Sequence, residues 1–395
     1  MPRRGARRAL SKGRSLSIGA RPSLLTLLRA AHHGRNDLTL SSFTDMQIRW
    51  AVTSGLGPLL VRSVARDPRC PGLSSLAAAA RGRRAARVLA AVQIEATAEI
   101  VDACGARVVV TLLKGISLSD RDYPAPYLRP MRDIDLLVPE GAVCEVQQTL
   151  LGLGYREHPE ERVESYGHHA VPLVHPRTGI WVEVHHRLFP PDLGLPGVDP
   201  FRPDRVNARI RPSTFTGRLV NRLTDDLQVV YTASHWALSP SRIYNGGGVV
   251  AMLDLIHLLK RRGFLWDDVM ALVEGSVASA HLYLLLGYLH RSGLVDVPPG
   301  TIEHLARMQP CLNSVGCRLL HGILDQYVVD GREYRGLART VDITWRALLG
   351  PGPPMRNLAR VPWAILDWAR VRMYEHLVGV GRRTIRRRGT ASRVA

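Results

Sequence analysis

The chain has 395 residues, 46% hydrophobic and 22% charged, with a formal net charge of +19 at pH 7. That length carries two or three domains with substantial cores, and the composition is too apolar for a disordered chain. The longest apolar stretches, around VVVTLL and LYLLLGYL, fall short of the roughly 18 residues that suggest a spanning helix, so no membrane role is implied.

Residues 1–21 read as a basic disordered tail, with six basic groups and no acid in the first fourteen positions. A matching basic tail of six basic groups and no acid occupies 381–395, leaving about +7 for the body. Solvated tails are the plain reading, although such charge attracts polyanions: nucleotides, RNA or an acidic partner. No apolar stretch of secretory length follows the N-terminal segment, since LLTLLRAAHH is broken by Arg29 and two histidines; a cytoplasmic location is expected. The five cysteines form no C-x-x-C pair and are odd in number, which favours free buried thiols over a disulfide framework or a thiolate zinc site.

From 22 to 105 the spacing predicts an N-terminal helical region, apolar residues recurring every three or four positions and Gly105 closing it. The character changes in the segment 106–191. RVVVTLLKG is a β-branched run that ends at a glycine turn, followed by a short helix in ISLSDRDY and the Pro-rich PAPYLRP. The strand DIDLLV, the helix EGAVCEVQQTLLGLGY and a hairpin of HAVPLVH and IWVEVHHRL come next. This order predicts an α+β core with a small mixed sheet. Residues 192–220 read as a Pro-rich connecting loop, and 221–380 as a C-terminal helical domain.

The chemistry concentrates in LRPMRDIDLLV. Side chains alternate along a strand, so Asp133 and Asp135 point the same way, about 6 to 7 Å apart, while Ile134, Leu136 and Val138 take the packing face. Two carboxylates held that close must lose a charge, find cations or share a metal ion. The hairpin strand adds Glu183, with Trp181 and His185 on its face. If that strand lies beside DIDLLV, three carboxylates form the oxygen-rich environment that suits Mg²⁺ or Mn²⁺. Lys114 and Gly115 end the preceding strand; the glycine allows phosphate to approach the backbone, the lysine offers a point charge, and Arg129 offers a second cation.

LLKG, RPMRDIDLLV and WVEVHH, in that order, resemble the uncharacterised nucleotidyltransferase family within the DNA polymerase beta-like superfamily. The resemblance is strongest over residues 107–190 and implies a polymerase-beta-like core flanked by N-terminal helices and a C-terminal bundle. It implies that Asp133, Asp135 and Glu183 are catalytic and bind metal and that Lys114, Gly115 and Arg129 lie at the nucleotide; Ser117, just beyond the glycine, is expected with them, and His185, on the face of Glu183, is expected to orient it. Two departures stand out: Gly115 is followed by Ile116 where the superfamily has Gly-Ser, and His186 stands where the family commonly has Trp.

The expected activity is Mg²⁺- or Mn²⁺-dependent transfer of NMP from an NTP, ATP by default, to a hydroxyl-type acceptor. The acceptor is a small molecule, a protein or RNA. A toxin-like transferase acting on tRNA and a catalytically silent nucleotide- or partner-binding protein are the alternatives. For Asp254, an acid on the apolar helical stretch AMLDLIHLL, a buried arginine partner is expected. His235 and Trp236 read as packing, and His168 and His169 as strand residues.

Overall fold

A computed structural model of the chain describes residues 24–328, apart from 35–37, 39–42, 65–73, 106, 158–166, 191–197, 239–246, 262–263, 310–311 and 313. The two basic tails, the last part of the C-terminal helical domain, Cys70 and Cys311 lie outside the described residues. Cys104, Cys144 and Cys317 are free thiols. No helix among the described residues is long and apolar enough to cross a membrane.

Four helices lead in: α1 (Leu24–His33), α2 (Asp45–Thr53), α3 (Gly57–Val64) and α4 (Ser74–Cys104). The start of α2 is fixed by a capping box, Thr44 accepting from the Gln47 amide while the Gln47 side chain accepts from the Thr44 amide. Next come β1 (Thr111–Leu112), α5 (Lys114–Ser119), a 3-10 turn (Pro126–Leu128), β2 (Asp133–Leu137), α6 (Val143–Gly152), β3 (Arg156–Glu157), β4 (Leu173–Val174) and β5 (Trp181–His185). After them come α7 (Pro203–Asn207), β6 (Ile210–Phe215) and β7 (Arg218–Leu223). The helices α8 (Asp225–Leu238), α9 (Gly247–Leu258), α10 (Trp266–Val273), α11 (Ala278–Arg291), α12 (Thr301–Met308) and α13 (Ser314–Val328) complete the described chain.

The strands form one mixed sheet in the order β3-β4-β5-β2-β1-β7-β6. The α+β class expected from the sequence is the class observed. The β4–β5 hairpin is present, and β5 lies parallel to β2 with Ile134 opposite Val182 and Leu136 opposite Val184. These four side chains are fully buried and share one core with Ile100 and Val101 of α4 and Val146 and Leu150 of α6. Each contributes about 1.5–3 kcal/mol as apolar area removed from water. That core fixes the sheet's orientation, because a slip of one residue would turn the acids into it.

The expectation of a loop over 192–220 needs correction from Pro203 onward. This segment forms α7 and the β6–β7 hairpin, whose inner strand β7 runs parallel to β1. Pro212 obscures it in the sequence; a proline is tolerated there because β6 is the edge strand.

A second apolar core joins α1, α2 and α3 to the helices that follow the sheet: Leu24, Leu28, Leu56 and Leu60 pack in one cluster with Leu253, Leu285 and Leu289. Arg29 donates to the Ser292 carbonyl at 3.1 and 3.0 Å, and Lys260 to that of Ala31 at 2.9 Å. α1–α3 therefore pack on the C-terminal helices, and α4 runs from α2 and α3 to the sheet.

Candidate active site

The register of β2 and β5 sets Asp135 directly opposite Glu183, and Asp133 opposite Trp181. Because these strands are parallel and paired one to one, the three acids and His185 share the face opposite the core. Asp135 and His185 are each 1% exposed. Burial on this scale demands partners. Asp135 Oδ1 accepts from Lys114 Nζ at 2.6 Å and lies 2.9 Å from His185 Nε2. The same nitrogen is 3.3 Å from Glu183 Oε2, so His185 bridges the two carboxylates, and the second of these contacts is the longer. Its Nδ1 is buried without a partner.

The charges interlock. Burial raises the Asp135 carboxyl, but Lys114 and His185 outweigh it and hold it well below the usual carboxylate range. Burial lowers Lys114, yet Asp135 and its neighbours raise it overall, so the ammonium is retained. Burial also opposes protonation of His185, and its hydrogen bonds to Asp135 and Glu183 reverse that and raise its pKa. Asp133 is different. Burial, then Asp135 and Glu183, push its pKa up to about 6, and it has no hydrogen-bond partner among the described residues.

Lys114 adopts φ 44°, the left-handed region that an L residue enters at a cost of about 1–3 kcal/mol. This kink turns the chain from β1 into α5 and brings the ammonium back over Asp135. Gly115 follows, and it is a glycine for a reason the sequence reading missed. A Cβ there would collide with the Arg129 guanidinium and come 2.6 Å from Met131 Cγ. Side chains of this chain fill the space beside its α-carbon.

Arg129 is likewise committed within the fold. Its Nε and second terminal nitrogen donate to the two oxygens of Asp254 at 3.2 and 3.0 Å, and Tyr123 donates its hydroxyl to the same carboxylate at 2.5 Å. Asp254 thus has the buried arginine partner expected for it. Ser117, expected at the nucleotide, is buried, and its carbonyl and hydroxyl face the Arg222 guanidinium of β7; it forms no part of the cleft wall. The sequence offered no signal for Tyr123.

Asp133 and Asp135 face a cleft between the sheet and α8 and α9, lined also by Lys114, Arg129, Tyr231 and Trp236 among others, while Glu183 lies outside its wall. His235 lines it too, whereas Trp236 is also part of the helical core. His168 and His169 sit behind the acids, with ring centroids 5.5 and 5.2 Å from His185. Burial, followed by the nearby imidazoles, pushes His168 down to about 3, so it is neutral.

Among the described residues, Asp135, Glu183 and His185 offer ligand atoms within 4.8 Å of one another. Two carboxylates and an imidazole suit a hard or borderline divalent cation. The ammonium already bound to Asp135 marks the same spot as one where positive charge is held. The set differs from the expected triad in one member: His185 stands in it, and Asp133 flanks it on the cleft side.

A family model described as "Uncharacterised nucleotidyltransferase" matches residues 30–292, about two thirds of the chain. Among solved structures, that of the antibiotic-resistance factor ANT(2'')-Ia is similar over 51% of this chain and 98% of its own, at 14% identity and a TM-score of 0.31, a likeness too slight to bear on function. No curated protein matches the chain.

Proposed function

The chain belongs to this uncharacterised nucleotidyltransferase family, and from that premise we propose that it transfers NMP from an NTP to a hydroxyl acceptor at the β2–β5 acid face in a metal-dependent reaction. The observation that carries this reading is the parallel register placing Asp135 against Glu183, with Asp133 and Lys114 beside them at the mouth of the cleft.

In the proposed reaction the acceptor oxygen bonds the α-phosphorus, the bond from that phosphorus to the bridging oxygen breaks, and pyrophosphate departs with its electrons. Asp133 takes the acceptor's proton. A carboxylate with a pKa of about 6 is still mostly ionised at pH 7 and is basic enough to serve. Asp135 and Glu183, with His185, would hold a divalent cation; when bound, that ion supplies neutralising charge for the triphosphate and acidifies the hydroxyl. Lys114 then exchanges Asp135 for a triphosphate oxygen, keeping its charge throughout. Arg129, clamped by Asp254, contributes fixed positive potential beside Asp133. No covalent nucleophile is required, since positioning and charge carry the reaction.

The test is Asp133→Asn and Glu183→Gln, each assayed for transfer from labelled NTPs and, by calorimetry, for Mn²⁺-dependent NTP binding. Glu183→Gln should lose both. Asp133→Asn should lose at least 100-fold in turnover and still bind. Full turnover in both variants would rule the reading out. Repeating the titrations with each NTP and with Mg²⁺ in place of Mn²⁺ tests ATP as the nucleotide and Mg²⁺ as the ion.

A further inference from the structure

From Ser74 to Ile94, helix α4 contains four arginines and no acid. Arg81, Arg84 and Arg87 recur at every third position, so they lie along one side of the helix, and all three are exposed. None has an acidic partner among the described residues. By contrast, Arg121, Arg129, Arg202, Arg209, Arg218 and Arg222 hold carboxylates. Arg83 adds a buried Nε with no hydrogen-bond partner.

The row touches the segment that runs into β2. The Arg87 guanidinium lies 5.5 Å over the Tyr127 ring, and Tyr127 belongs to the 3-10 turn that immediately precedes Arg129. Two turns further along α4, Gln93 donates to the carbonyl of Met131 at 3.4 Å, two residues before Asp133. At 1.5 Å per residue, Arg81 stands about 18 Å from Gln93 along the helix axis. Between them Val88 and Leu89 are exposed, at 65% and 43%.

We propose that this arginine row is a binding surface for single-stranded RNA, and that the acceptor is a ribose hydroxyl at the RNA end led along it to Asp133. The proposal rests on the nucleotidyltransferase reading for the reaction, and on α4 alone for the binding. Exposed guanidinium groups without carboxylates suit phosphate, which they grip in a fork. Val88, Leu89 and Tyr127 give unstacked bases apolar and aromatic surface. A membrane surface fits less well, because Val88 and Leu89, the bulky apolar residues exposed beside the row, are too few to make an inserting face.

The experiment is fluorescence polarisation of a labelled 20-nucleotide single-stranded RNA titrated with the full chain between 50 and 300 mM salt. The subject is R81E/R84E/R87E, and the control is R156E/R177E/R307E, an equal charge change at three exposed arginines elsewhere. Three phosphate contacts at about 0.7 each predict that the slope of log affinity on log salt falls by about 2 in the first variant. Affinity at 100 mM salt should drop at least tenfold there and less than threefold in the control. Equal losses in both variants, an unchanged slope, or equally tight binding of poly-glutamate or of anionic phosphatidylserine vesicles would overturn the proposal. Mn²⁺-dependent NTP binding, measured by calorimetry on the same proteins, should not change with the α4 variant. If the wild type fails to bind NTP, the transferase reading fails while the polarisation result still decides the α4 surface.

Discussion

Asp254→Ala tests the network behind the active-site turn. The carboxylate is 5% exposed and holds Arg129, itself only 14% exposed, through two hydrogen bonds, while Tyr123 donates a third. Removing it leaves a buried guanidinium, still charged, without the carboxylate that offsets its burial. The loss of one partner from such a buried pair costs about 3–5 kcal/mol, and the orphaned Tyr123 hydroxyl adds about 1–3 kcal/mol if water cannot reach it. A total of about 4 kcal/mol or more is expected from urea unfolding at pH 7. Because the harm lies in the uncompensated charge, Arg129→Met in the same chain should restore much of it, giving a coupling of about 2–3 kcal/mol in the double-mutant cycle. If Asp254→Ala costs less than about 1 kcal/mol, or if the two changes simply add, then the arginine is not held as described and the reasoning fails.

Gly115→Ala should destabilise the chain by about 1–3 kcal/mol through overpacking against Arg129 and Met131, and its transfer rate should fall with it; a neutral result in both assays would contradict the close approach. His257 is packed against the Tyr123 ring, centroids 4.3 Å apart, and burial, then Lys260, push its pKa down to about 4. The folded state therefore binds this proton less readily than the unfolded one, so the stability His257 permits is complete above about pH 6.5 and is lost as pH falls toward 4. That span corresponds to ~3 kcal/mol. Urea midpoints between pH 7 and 4 should fall less steeply in His257→Gln, and identical profiles would refute the assignment.

The acid face was legible because it depends on strand alternation alone: Asp133, Asp135 and Glu183 occur in β-branched runs whose other faces are apolar, and burial left them one side to occupy. The pairing of Asp254 with an arginine could be anticipated for a similar reason, as a lone carboxylate on an apolar helix must be neutralised. Which arginine it holds could not, since Arg129 lies 125 residues away. Gly115 shows the other limit. A glycine after a lysine at a strand end reads the same whether phosphate or a guanidinium fills the space, and only the packing of the turn distinguishes them. The β6–β7 hairpin was hidden by Pro212 and by charged side chains along an edge that water covers on one side.

The clasp between α1–α3 and the helices beyond the sheet has a consequence for biosynthesis. Leu24, Leu27 and Leu28 are shielded by residues near 253 and 285–289, which leave the ribosome more than 200 residues later. At roughly 5–20 residues per second the nascent chain displays those leucines for about ten seconds to a minute before their cover exists. The sheet can assemble in the interval, so α1–α3, made before it, are among the last elements to dock. A holdase chaperone would find its target there.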